Sequence, residues 1–154
     1  MGKEIERKFL VSADHWREGA TGTHFQQGYL TTDPDRTVRV RIAGEKAKLT
    51  IKGRSVGATR AEFEYPIPVE DAQQLLAMCT PPNIEKTRYK IQHEGYTWEV
   101  DVFEGVNAGL IVAEVELQSE EEQPPIPDWI GAEVTEDRRY YNANLIAQPY
   151  STWD

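Results

Sequence analysis

Apolar and charged residues alternate along most of this chain, starting with the stretch KEIERKFLV. Strand side chains alternate with a period of two, so an extended segment 3–11 sets Glu4, Glu6 and Lys8 on one face and Ile5, Phe9 and Val11 on the other. Only Arg7 interrupts the apolar side. The pattern recurs. TVRVRIA opposes Arg39 and Arg41 to Val38, Val40 and Ile42, and KAKLTIKG opposes Lys48 and Lys52 to Leu49 and Ile51. RAEFEYPI sets Arg60, Glu62 and Glu64 against Phe63, Tyr65 and Ile67, while IEKTRYKIQ carries Lys86, Arg88 and Lys90 on one parity. WEVDVFE and VAEVELQ add Glu99 with Asp101, and Glu114 with Glu116. With HFQQGYLT these segments predict eight strands, separated by turn signals such as TDPD, AGEK, HEG and EGVNAG.

Helical periodicity is confined to a few short pieces. VEDAQQLLAMC clusters Leu75, Leu76, Met78 and Cys79 on one side and stops before Pro81 and Pro82, which predicts an amphipathic helix over 70–79. SADHWREG predicts a helical turn with Ser12 or Asp14 as its N-cap and Gly19 as its terminator. A further helical segment is expected within 138–146, after a Pro-rich stretch. The fold class is therefore mainly β (α+β): an eight-stranded antiparallel closed barrel or tunnel, one domain over 1–154, with a few packing helices.

Composition narrows the functions. A chain of 154 residues builds one domain with a real core. The net charge of -9 argues against nucleic-acid or anionic-membrane partners, although an overall charge can hide a basic interior. No apolar run reaches membrane-spanning length, and no signal-peptide pattern opens the chain. The single cysteine, Cys79, falls in the apolar pattern and reads as a small core residue, so a reduced cytoplasmic location is expected. A homodimer is compatible with such a chain.

Polar strand faces that are almost purely ionic call for a common surface. Facing outward, they would make a conventional barrel. Facing inward, they would place clustered charge in a barrel interior, at a cost of several kcal/mol for each uncompensated ion unless ions pair or a charged ligand binds. Arginine and lysine on neighbouring strands suit phosphate oxygens. Carboxylates at i and i+2 suit a hard divalent cation such as Mg2+ or Mn2+. Together they describe metal-assisted phosphoryl transfer. The chain holds no Gly-rich phosphate loop and no covalent nucleophile in a plausible setting.

The E-x-E-x-K of EIERKFLV matches the signature that opens the CYTH domain, and the chain resembles the triphosphate tunnel metalloenzymes along nearly its whole length. QGYL, RVR, LTIK, EFEYPI, KTRY, WEVDVFEG, AEVEL and EVTEDRRYYN stand in that family's order. The resemblance implies that Glu4, Glu6, Glu114 and Glu116 hold the cation, and that Lys8, Arg39, Arg41, Lys52, Lys86 and Arg88 grip the triphosphate. Arg138 resembles a basic residue at the tunnel mouth. Lys8, Glu62, Glu64 and Asp101 are candidate catalytic positions, the three acids holding a second ion or water or orienting basic neighbours. Arg54, Lys90 and Glu99 share the right parity, whereas His15, His24 and His93 read as surface or capping residues. The implied activity is hydrolysis of a small-molecule triphosphate, inorganic tripolyphosphate first. Thiamine triphosphatase, nucleoside triphosphatase, class IV adenylate cyclase and a non-catalytic polyphosphate- or nucleotide-binding module stand as alternatives.

Overall fold

A computed structural model describes residues 3–153. The strands are β1 (Lys3–Val11), β2 (Gly22–Thr31), β3 (Arg36–Ala43), β4 (Lys46–Gly53), β5 (Thr59–Ile67), β6 (Ile84–His93), β7 (Tyr96–Phe103), β8 (Ile111–Glu116) and β9 (Ile130–Glu133). They run in the order β5-β4-β3-β2-β6-β7-β8-β1-β9, and β5 also pairs with β1, closing the first eight into a barrel. All pairings are antiparallel. One edge of β1 is shared. Its start pairs with β5, through Glu4 and Arg60, and its end with β9, through Val11 and Ile130. β9 is a ninth strand that the sequence reading omits, because four residues just after a Pro-rich stretch give too little alternation to register.

Local chemistry fixes the hairpins. Between β6 and β7, His93 pairs with Tyr96 across Glu94 and Gly95, both at positive φ (47° and 88°). This is the two-residue turn whose twist matches that of the strands, and glycine adopts its second position without strain.

The apolar faces point outward and are covered in two places. α1 (Val69–Ala77) lays Ala72 and Leu76, four residues apart, with Cys79 just beyond the helix, over Val40 and Ala47. Each such leucine contributes about 1.5–3 kcal/mol when fully buried. On the opposite side, Trp16 and Trp129 cover Phe9, Trp98, Val100, Ala113 and Val115. Asp14 sits at the N-cap of the expected early turn, His15–Arg17, without a side-chain capping bond, and Gly19 follows with φ of 73°.

The C-terminal segment differs from expectation. Instead of one helix over 138–146 there is a 3-10 turn, Arg138–Tyr140, and a short α2, Asn144–Ala147. Tyr140, Leu145 and Ile146 pack against Ile84, Phe103 and Val112, which share parity with the charged positions of their strands, and against Tyr29 of β2. The segment thus seats on an apolar ring at one end of the barrel interior rather than on its outer wall. Its asparagines and Pro149 interrupt the helix there.

Candidate active site

The charged strand faces line a single cavity of about 600 Å³ inside the barrel. Glu4, Glu6, Lys8, Arg39, Arg41, Lys52, Glu62, Glu64, Lys86, Arg88, Glu114, Glu116 and Arg138 all reach it. Arg54, Lys90 and Glu99 line it too. Of the residues expected at the site, Asp101 alone is not part of the lining. It lies 2 % exposed behind Lys86 and Arg88, accepting a forked bond from Arg88 at 2.7 and 2.9 Å and pairing with Lys86 Nζ at 2.7 Å. Burial alone would raise its pKa, but Arg88 and Lys86 outweigh burial and hold it well below the ordinary carboxylate range. Of its two expected roles, orienting basic neighbours fits this geometry. His15, His24 and His93 pair at the surface with Asp128, Glu85 and Glu94.

Most cations of the lining are held by acids. Lys8 Nζ lies 3.2 Å from Glu114 and 3.3 Å from the Tyr140 carbonyl, and Lys52 Nζ lies 2.8 Å from Glu4 and 3.7 Å from Glu62. Arg39 reaches Thr50 Oγ1 at 3.1 Å and Glu64 at 3.6 Å. Burial pushes the Glu114 pKa up, but Lys8 and Arg88 prevail and hold it at about 2. Arg41 is different. Its Nε donates to the Gln27 amide oxygen at 2.9 Å, and it has no carboxylate partner among the described residues. Burial, then Arg39 and Arg88, lower its pKa to about 9. Burial also lowers that of Lys86, to about 7.

The acids show the mirror image. Glu6 faces Glu116 directly across the β1–β8 ladder, and neither makes an ion pair among the described residues. Burial and then Glu114 raise the Glu6 pKa to about 8, while burial followed by Glu4 raises that of Glu116. Two opposed carboxylates without a cation are unstable neighbours. Such a hard oxygen pair fits an ion that keeps part of its own water shell. No three acids or histidines among the described residues converge closely enough to enclose an ion unaided.

Several lining groups carry no charge and escaped the alternation. Phe25, Tyr29, Thr50, Tyr141 and Asn142 line the cavity, and Gln27 is fully buried beside it. The Phe25 ring lies 4.6 Å from the Arg41 guanidinium and 4.9 Å from that of Arg88. The even parity of Lys86 and Arg88, carried across to β2 by their register with Phe25 and Thr23, marks Phe25, Gln27 and Tyr29, and the parity of Lys48 and Lys52 marks Thr50, whereas Tyr141 and Asn142 lie on no strand.

The family model described as CYTH domain matches residues 2–150. The chain belongs to this family. The CYTH domain is 52% identical over 154 residues to an inorganic triphosphatase of Acetivibrio thermocellus, spanning 99% of each chain. It is 39% identical over 147 residues to an inorganic triphosphatase of Nitrosomonas europaea, covering 92% of this chain and 95% of the other. Among solved structures, that of the inorganic triphosphatase NE1496 superposes with a TM-score of 0.67 at 36% identity, over 92% of this chain and 96% of its own. Membership implies a divalent metal, and the Glu6–Glu116 pair offers chemistry that suits one.

Proposed function

We propose that this CYTH domain hydrolyses inorganic tripolyphosphate to pyrophosphate and phosphate, with Mg2+ or Mn2+ held by Glu6 and Glu116 and supported by Glu4 and Glu114. One observation carries the reading: six buried or half-buried cations and an opposed, unpaired carboxylate couple share one cavity of about 600 Å³. A triphosphate with its ion supplies both missing charges at once. The inorganic triphosphatase name of a relative with 52% identity supports the choice of substrate.

The bound ion would neutralise charge on the substrate oxygens and help polarise the phosphorus. Arg39, Arg41, Lys52, Lys86 and Arg88 grip the phosphates, and Lys8 steadies the reacting end beside Glu114. A water aligned by a carboxylate of the acidic side, with Glu62 and Glu64 as candidates, attacks a terminal phosphorus. Its oxygen forms the new P–O bond and gives a proton to that carboxylate as the phosphoanhydride bond breaks, and the leaving pyrophosphate keeps the bridging electron pair. Among the described residues no helix is long and apolar enough to cross a membrane, and the reading is of a cytoplasmic enzyme with its one cysteine reduced.

Phosphate release from tripolyphosphate, pyrophosphate, ATP and thiamine triphosphate, with and without Mg2+, tests this reading. Metal-dependent release led by tripolyphosphate is expected. Preference for ATP or thiamine triphosphate would transfer the activity to an organic triphosphate, and binding without release from any of them would make the domain a phosphate-binding module.

A further inference from the structure

We infer that Gln27 and Asn142 are positioning residues for the triphosphate, forming a neutral amide relay that fixes Arg41 and Lys86 without cancelling their charge. The inference rests on the triphosphate reading of this cavity. Asn142 Oδ1 accepts from Lys86 Nζ at 2.8 Å and from Gln27 Nε2 at 3.0 Å, and Gln27 Oε1 accepts from Arg41 Nε at 2.9 Å. The orientation of both amides is forced. Arginine and lysine only donate, so the Gln27 oxygen must face Arg41, its NH2 must face Asn142, and the Asn142 oxygen must receive both donors.

The relay stands where its neighbours use acids. Lys8, Arg39, Lys52 and Arg88 each have a carboxylate within 4.0 Å, and Lys86 shares Asp101 with Arg88. Arg41 has Gln27 instead. A glutamate there would reach the same atom, but its charge would compete with the ligand. A buried cation needs a partner to fix its geometry, and a phosphate site needs that cation's charge left available. Amides satisfy both demands. Gln27 is 0% exposed, so its geometry is locked by packing, and Phe25 supports the Arg41 guanidinium from 4.6 Å.

Asn142 comes not from a strand but from the C-terminal segment seated at one barrel end, which also places the Tyr140 carbonyl 3.3 Å from Lys8 Nζ. Seating of that segment therefore completes the grip at two lysines. Lys86 Nζ is held from two sides, by Asp101 of the neighbouring strand at 2.7 Å and by Asn142 at 2.8 Å.

Asn142→Asp is the discriminating variant, because Asn142 uses only its oxygen and aspartate retains both hydrogen bonds. Tripolyphosphate Kd should be measured by calorimetry with Ca2+, and steady-state kinetics with Mg2+, beside thermal unfolding. The added charge should raise Kd and KM on the order of tenfold, leave kcat within about threefold and leave Tm no lower than wild type. Gln27→Met frees Arg41 without changing any charge, and should raise KM about fivefold or more at similar kcat. If a folded Asn142→Asp protein binds tripolyphosphate within about twofold of wild type, the amides are merely structural and the inference fails. Should Asn142→Asp not fold, Gln27→Met decides by the same criterion. If wild type binds tripolyphosphate without hydrolysing it, the functional reading falls, while the relay is still judged on Kd.

Discussion

Glu6 stands directly across the β1–β8 ladder from Glu116, and neither carboxylate has a basic partner among the described residues. Like charges opposed across a sheet destabilise it. Here they also lie in a cavity whose cations are engaged elsewhere, so the pair is costly in the free protein and useful only with an ion between or beside the two. Glu6→Gln at pH 8 should therefore raise the Tm of the metal-free protein by about 2–4 °C, equivalent to roughly 1 kcal/mol for a chain of this size. The same change should cut metal-dependent turnover by roughly a hundredfold or more. Thermal scans and phosphate release on one preparation check both. A lower Tm, or substantial turnover in the folded variant, would remove Glu6 from the ion site.

Arg39 should matter far more than a surface arginine. Arg39→Ala removes a buried donor group that bridges Thr50 and Glu64, whereas Arg17 is exposed and rests on the Trp16 ring. Tripolyphosphate titration should show a loss of 2–3 kcal/mol for Arg39→Ala, about the size of a charge-assisted hydrogen bond, and almost none for Arg17→Ala. Equal losses would mean that binding follows net charge rather than the cavity.

Asp101 tests the buried counter-ion. Asp101→Asn leaves Lys86 and Arg88 without their shared acid, and removing one partner of a buried ion cluster costs about 3–5 kcal/mol. The variant should melt well below wild type. Tripolyphosphate brings negative charge to the same cations, so it should raise the Tm of Asp101→Asn by more than that of wild type. A variant that melts normally would make Asp101 dispensable to the cluster.

The pH dependence of stability should carry a mark of Lys86. Burial lowers its folded pKa to about 7 from the ordinary 10.5. Between these values the unfolded chain holds the proton and the folded chain releases it, so more protons are bound in the unfolded state and stability rises with pH. Below about 7 both states are protonated and the contribution is flat. Denaturant unfolding of wild type and Lys86→Met from pH 6 to 10 should show that extra upward slope in wild type only. Parallel curves would mean that Asp101 and Asn142 keep Lys86 fully protonated.

Alternation made the tunnel legible because every second residue of most strands is charged and the pleat gathers those residues into one interior. Glu4, Glu6 and Lys8 illustrate how little else was needed: parity puts them together, and closure of β1 on β5 and β8 turns a face into a wall. Parity could not separate depths. Asp101 shares a face with Glu99, yet lies behind the lining because Arg88 and Lys86 fold over it. Nor could charge reveal neutral groups, and Gln27 and Asn142 went unmarked, the first on a strand whose inward face is uncharged. The C-terminal segment, which carries the apolar Tyr140, Leu145 and Ile146, was read only as a helix within 138–146. Only the inward parity of Tyr29, Ile84, Phe103 and Val112 at one barrel end shows where such residues fit.

Ligand length should report on the cavity. Lys8, Arg39, Arg41, Lys52, Lys86 and Arg88 are distributed over β1, β3, β4 and β6, so no single phosphate can meet them all. Their mutual repulsion lowers stability in the free protein, and the acids offset it only in part: burial first, and then Arg39 and Arg88, lower the pKa of Arg41. A ligand that binds the folded state alone adds stability by mass action, about 2.7 kcal/mol at a hundredfold excess over its dissociation constant. That corresponds to a Tm rise of roughly 5–10 °C for a chain of this length. Tripolyphosphate spans the most cations, pyrophosphate fewer and orthophosphate fewest, so at equal concentration and matched ionic strength the shifts should fall in that order. Ca2+ in place of Mg2+ is chosen to limit turnover during the scan. Arg41→Ala should shrink the tripolyphosphate shift more than the orthophosphate shift, because a long anion loses a subsite where a short one can relocate. Equal small shifts for all three anions would be the signature of salt screening, which acts on any exposed charge within about 10 Å at 0.1 M salt and needs no tunnel at all.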